Sequence, residues 1–397
     1  MSIFQKTDSA QQSLTSHQGV FYRRKTLFEG VALIISGTVG AGVLGIPYAI
    51  AQSGMRIGIV YIMTLGFLMM GLNLMVGEIA IRTRGSFQLV GLARRYLGRI
   101  GGALMTLVFY SLLFGVLVIY IIGEGETLSA LFGGSPTVWS IAFFCVGSLF
   151  VMFGLRTVKT VELFLTGGIL AVVMIIAGLS SPHIDLSYWA HMDLAHLFLP
   201  YGVILFAYHG TTAIPEVHAT LLEKNGMFKK AILIAGCSVM IVYLILSLVV
   251  VGVTGVNTTE IATIGLGHAL GPVMFVFGNV FAFFAMATSF LLTGVALKDS
   301  LSWDYKLDPR LATLITLAVP FGVFLFGLRS FITAIDIVGG VFVSTEVLLI
   351  LLMYVIAKRR GDLPVTSYTL RYAPVLGILL GCIFTIGTVY SVWQLFI

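Results

Sequence analysis

The sequence predicts an all-α integral membrane protein built as a 5+5 inverted repeat, with a broken first helix in each repeat and an eleventh transmembrane helix after them. Three observations carry this. Hydrophobic residues make up 58% of the 397 positions and charged residues 10%, against roughly 25% charge in soluble domains. Apolar runs long enough to cross a bilayer recur along the chain. Two of those runs, five apart in order, are interrupted by glycine, proline and polar residues.

Residues 1–25 form a polar tail rich in Ser and Gln, expected to be cytoplasmic. The tail has neither the apolar core nor the small-residue cleavage pattern of a signal peptide. Residues 26–370 form the membrane core, with repeats at 26–180 and 195–357, and 371–397 hold the last helix. Eleven spans are expected, at about 28–53, 57–80, 101–123, 137–154, 160–179, 195–217, 230–252, 271–297, 310–327, 331–356 and 373–396. Five is odd, so the two repeats lie in opposite senses across the bilayer.

The loop charges orient the chain. With the N-terminus inside, only Arg56 and Arg329 of the 23 Lys and Arg residues fall in outer loops, the bias expected of cytoplasmic loops. The odd span count puts the C-terminus outside. Glu124, Glu126, Asp185, Asp193 and Glu260 fall in the expected outer loops. The net charge of +6 is therefore topological and points to no nucleic-acid partner. Arg94 and Arg95 are placed to touch anionic lipid heads. Cys145, Cys237 and Cys382 lie in apolar segments and read as small core residues.

Span one contains Gly37, Gly40, Gly42, Gly45 and Pro47. Glycine costs little outside helical geometry, and Pro47 leaves the Val43 carbonyl without its helical donor. Free backbone groups in a bilayer persist only where protein, water or a ligand satisfies them. Span six repeats the disturbance, with Gly210 and Pro215 flanking polar residues from Tyr208 onward. Matching interruptions in two halves point to a binding site at the bilayer midplane. A small-residue packing face in span one and an ordinary proline kink in span six are the alternatives.

In span eight, Ala285, Thr288 and Ser289 share one helical face. Their oxygens, with carbonyls near Gly37 and Gly40, could form a sodium cage; the alternative is that the hydroxyls bond back to their own helix. Ionisable residues inside spans are costly and are functional candidates. His209 beside the span-six break, Glu216 after Pro215, and Asp336 and Glu346 in span ten are candidates for gating or proton relay. Asp336 and Glu346 are ten residues apart, about 15 Å along an ideal helix, so they do not form one pair. Glu78 and Glu162 lie near the inner surface, placed to pair with Arg or Lys.

The stretch Gly37 to Tyr48, together with Phe206–Gly210, Ile214–Val217 and Ala285–Ser289 with Phe290 and Gly294, resembles the amino acid–polyamine–cation superfamily. Within it, the chain looks like the amino acid/auxin permeases and the bacterial aromatic (tryptophan/tyrosine) permeases. The resemblance implies a LeuT-type fold in the prokaryotic inner membrane and import of amino acids by cation-coupled symport. It implies no cofactor; the coupling ion is sodium or a proton. It implies substrate held between the breaks, on Ser36, Thr38, Gly40, Ala41, Gly42, Val43, Phe206, Ala207, Tyr208 and His209. Gly37, Gly40, Ala285, Thr288 and Ser289 would be the sodium site. Some proton-coupled relatives place a span-five lysine there; Lys159 lies too close to the cytoplasmic end for that role.

The expected partners are an amino acid and membrane lipid, with the monomer as the working unit. Backbone amides would take the substrate carboxylate and backbone carbonyls its ammonium. Tyr110, Phe114, Phe206 and Tyr208 are wall candidates. A polyamine or nucleobase carrier, or a non-transporting amino acid sensor, would use the same fold. No catalytic set, metal-ligand spacing or phosphate loop suggests an enzyme, and no continuous polar stripe suggests a channel.

Overall fold

The computed structural model describes residues 27–85, 87–153, 168, 171–220, 225–304, 306–363, 369–370 and 373–394. The N-terminal tail and the candidates Lys159 and Glu162 lie outside them. The order is α1 (Leu27–Thr38), α2 (Gly42–Ser53), α3 (Met55–Arg82), α4 (Leu89–Phe132), α5 (Pro136–Phe153), α6 (Ala171–His183), α7 (Leu199–Ala207), α8 (Ala213–Thr220), α9 (Asn225–Thr254), α10 (Ala262–Leu270), α11 (Pro272–Asp304), α12 (Pro309–Leu325), α13 (Phe331–Ile337), α14 (Ser344–Arg360) and α15 (Ala373–Gln394). Among the described residues, six helices are long and apolar enough to cross a membrane.

Both interrupted segments are broken. α1 and α2 meet at an angle of 57°. α7 ends at Ala207 and α8 starts at Ala213. Pro47 lies inside α2, a turn beyond the break. The half-helices pack on one another and on α3 and α9, whereas α4, α5, α11 and α12 pack together as a second group. α13 and α14 lie between, touching α4 on one side and α7 or α3 on the other.

Four features differ from the sequence reading. α4 reaches Phe132, so Glu124 and Glu126 belong to a helix and not to an outer loop. It turns at Gly98, whose φ of 74° suits glycine. The tenth segment holds a π-helical stretch at Val338–Val343 between α13 and α14. The three cysteines are exposed on helix surfaces and not core residues. An apolar run in a membrane protein does not separate core from lipid face, since both are apolar.

The end of α2 is pinned by the segment before α7. Gly54, at φ 109°, forms an isolated bridge with Met192. Its α-carbon faces the His191 carbonyl so closely that any side chain would collide.

Candidate functional site

The two breaks interlock. A Cβ on Gly42 would fall 2.7 Å from the Ala207 Cα, and one on Gly37 would fall 2.9 Å from the Ala213 Cβ. Gly210 faces the Thr38 hydroxyl with no room for a side chain. Glycine here permits close backbone approach, which is its packing use, at the point where both helices unwind.

The carbonyls released at the breaks find a shared donor. The Tyr243 hydroxyl, fully buried on α9, donates to the Ala207 carbonyl at 2.7 Å and lies 3.5 Å from the Thr38 carbonyl. The Thr38 hydroxyl donates back to Ile34 at 2.7 Å. The first turn of α2 has no side-chain cap; the Val43 and Leu44 amides turn back to the Gly40 and Ala41 carbonyls at 3.3 and 3.0 Å, which leaves the Gly42 amide as the leading donor toward an anion. Ala41, Gly42 and Val43 in that turn are buried, and Ser36 and Gly40 are half-buried.

Phe206 and Ala207 are buried at the end of α7, against Gly42. Tyr208 turns away from the break and donates to the Ile62 carbonyl of α3 at 3.1 Å. Tyr110 pairs its hydroxyl with Ser300, near the far end of α11. Phe114, one turn along, is half-buried.

His209, Thr211 and Glu346 form one cluster. The Glu346 carboxylate lies 2.9 Å from His209 Nε2 and accepts the Thr211 hydroxyl at 2.7 Å. Glu346 is 1% exposed and His209 11%, so the pair ties the span-six break to α14 out of water. Asp336 takes a different place: it accepts the Gly202 amide in the first turn of α7. Glu216 is half-buried in the first turn of α8, where an acid suits the helix dipole. Glu78 bridges Arg82 at 2.8 Å and accepts the Tyr354 hydroxyl at 2.7 Å.

The span-eight hydroxyls are engaged within the protein. Thr288 donates to the Phe284 carbonyl at 2.7 Å, with Ala285 at 3.2 Å. Ser289 is hydrogen-bonded by Tyr120 of α4. The Tyr120 hydroxyl also stands 3.4 Å from the Cβ position of Gly40, so it lies between the span-one break and α11. Nothing in the sequence alone marks Tyr120, Tyr243 or Thr211 as site residues. Each sits in a run whose neighbours give no one-dimensional sign of what the side chain meets.

Residues 23–394 match the profile of the tryptophan/tyrosine permease family. The chain is 25% identical over 352 residues to glutamine transporter 2 of Aliivibrio fischeri, covering 83% of this chain and 89% of that one. It is 25% identical over 382 residues to tyrosine-specific transport system 1 of Haemophilus influenzae, covering 88% and 94%. It is 27% identical over 396 residues to system 2 of the same organism, covering 89% and 94%. The fold is shared with the inward-facing conformation of Mhp1, with a TM-score of 0.63 at 13% identity over 93% of this chain and 90% of that one. With a profile match across nearly its whole length, the chain belongs to the tryptophan/tyrosine permease family.

Proposed function

We propose that this protein imports amino acids across a bacterial inner membrane by proton-coupled symport and alternating access. Aromatic or other neutral amino acids are the cargo class. The observation that carries the reading is the pair of breaks facing each other, with an uncapped helix start at Gly42. The start of α2 offers the Gly42 amide and the positive end of the helix dipole to the substrate carboxylate. The C-terminal ends of α1 and α7, neither with a basic residue in its last turn, offer carbonyls to the ammonium. The tyrosine and glutamine transporters among the relatives support an amino acid as cargo.

The two packing groups suggest how access alternates. α1, α2, α3, α7, α8 and α9 would rock against α4, α5, α11 and α12, with five-helix inverted repeats and α15 outside them. The His209–Glu346 contact spans that divide through α14 and would act as a gate. The proton is taken as the coupling ion because ionisable side chains, His209 with Glu346, lie buried beside the span-six break; the Thr288 hydroxyl donates its hydrogen to its own helix, which neither requires nor excludes sodium.

Purified protein in liposomes tests this. An inward proton gradient should drive uptake of tyrosine, with competition by other aromatic amino acids. Tyrosine binding with no flux under any gradient would instead indicate a sensor, and uptake driven only by sodium would remove the proton.

A further inference from the structure

Glu124 lies inside the helix bundle with no ion pair among the described residues, and nothing above uses it. It is 0% exposed. Neither carboxyl oxygen makes a well-formed hydrogen bond with a described residue, and the polar group that approaches it is the backbone of Ala287 on α11. The preceding residue, Gly123, is flanked by Met286 and Phe331, so Glu124 sits at the seam of α4, α11 and α13. One turn on, the buried Thr127 hydroxyl is also without a hydrogen-bond partner among the described residues. A bare carboxylate in such a place costs several kcal/mol even after relaxation, and a bound proton removes that cost.

We propose that Glu124 is the site that binds and releases the coupling proton. The inference rests on the transport reading above and names the residue that reading lacks. Tyr120 and Glu124 are four residues apart and share one face of α4. The Tyr120 hydroxyl stands beside Gly40, where the substrate carboxylate would enter the first turn of α2. That carboxylate and an ionised Glu124 would repel across one helical turn, about 6 Å. Substrate therefore favours the protonated acid, and by reciprocity the proton favours substrate. The step is the binding of a proton by one carboxylate oxygen from one side of the membrane and its loss to the other.

Other charges around the seam are elsewhere engaged or distant. On α4, Tyr120 and Glu126 are the flanking titratable groups. α5 carries no charged residue. On α11, Lys298 and Asp299 lie about three turns beyond Ala287, and Lys298 donates to the Val151 carbonyl. On α12, Arg310 is in the first turn. On α13 and α14, Asp336 meets Gly202 and Glu346 meets His209. Glu260 accepts from Ser330 and from the Ile332 amide at the start of α13.

The test compares wild type, Glu124→Gln and Glu124→Asp, each full length and in liposomes. Tyrosine accumulation is read under an inward proton gradient, and proton uptake on tyrosine binding is read with a pH indicator in detergent. Glu124→Gln should lose at least about tenfold of the accumulation, a loss of some 1.4 kcal/mol or more of driving force, and should take up no proton on binding tyrosine. Glu124→Asp should retain proton uptake with a displaced pH profile, which separates a proton site from a packing defect. Wild-type accumulation and proton uptake in Glu124→Gln would overturn the assignment while leaving the transport reading intact. Loss of a sodium-driven flux in that variant would make Glu124 a sodium ligand and also overturn it. No tyrosine uptake by wild type under any gradient would overturn the transport reading itself.

Discussion

Tyr243 of α9 donates its hydroxyl to the Ala207 carbonyl at 2.7 Å, at the point where α7 stops. The acceptor has no next helical turn to supply a donor, so the side chain supplies it. Removing it strands a buried carbonyl at a cost of about 1–3 kcal/mol. Tyr243→Phe should therefore melt at lower temperature in detergent and transport more slowly. A variant matching wild type in both would show the contact to be incidental.

Gly42 is the position where the two breaks come nearest. Its absent side chain would sit 2.7 Å from the Ala207 Cα, which is backbone and cannot swing aside. Gly42→Ala should fold, yet bind tyrosine weakly, because α2 and α7 are pushed apart at the site. Equilibrium binding checks it, and unchanged affinity would contradict the close approach.

His209 and Glu346 should behave as a coupled pair. Glu346→Gln, His209→Gln and the double variant form a cycle in which the interaction energy is expected at about 0.5–3 kcal/mol. The readout is the inward-opening rate in reconstituted protein, together with thermal unfolding. Additive effects would mean that the 2.9 Å contact carries no gating energy.

Asp362 joins two segments outside the spans, accepting the Arg84 amide and pairing with Arg95. The Arg84 amide first, then the Arg95 side chain, holds its carboxyl below the usual carboxylate range. A depressed value means the contact stabilises above the ordinary aspartate range and is lost as pH falls through the lowered one. The group is exposed, so salt screens it. Asp362→Asn should speed opening at that surface at neutral pH and low salt, and the difference should vanish in high salt or strong acid. A difference that survives both would rule out the ion pair.

Thr288 bonds to its own helix at Phe284 and Ala285. Thr288→Ala is expected to leave proton-driven tyrosine uptake close to wild type. Loss of uptake together with loss of a sodium requirement would restore the sodium cage.

The two breaks were legible because glycine, proline and polar residues inside apolar runs violate what a simple span requires. Their partners were not. His209 and Glu346 are 137 positions apart, and no periodicity links residues on different spans. Tyr120 and Tyr243 are aromatic residues among 29 Phe and 15 Tyr, so residue type alone did not separate a donor to broken backbone from packing. A charge marks the end of an apolar run, so the sequence puts Glu124 in a loop, whereas α4 carries it inside. The π-helical stretch at Val338–Val343 depends on how α13 and α14 pack against α7, which no local sequence signal encodes.

The most direct measurement is tyrosine uptake into proteoliposomes with proton and sodium gradients imposed separately. The account predicts accumulation under the inward proton gradient, abolished by a protonophore and indifferent to sodium. No uptake of any amino acid under either gradient would contradict it.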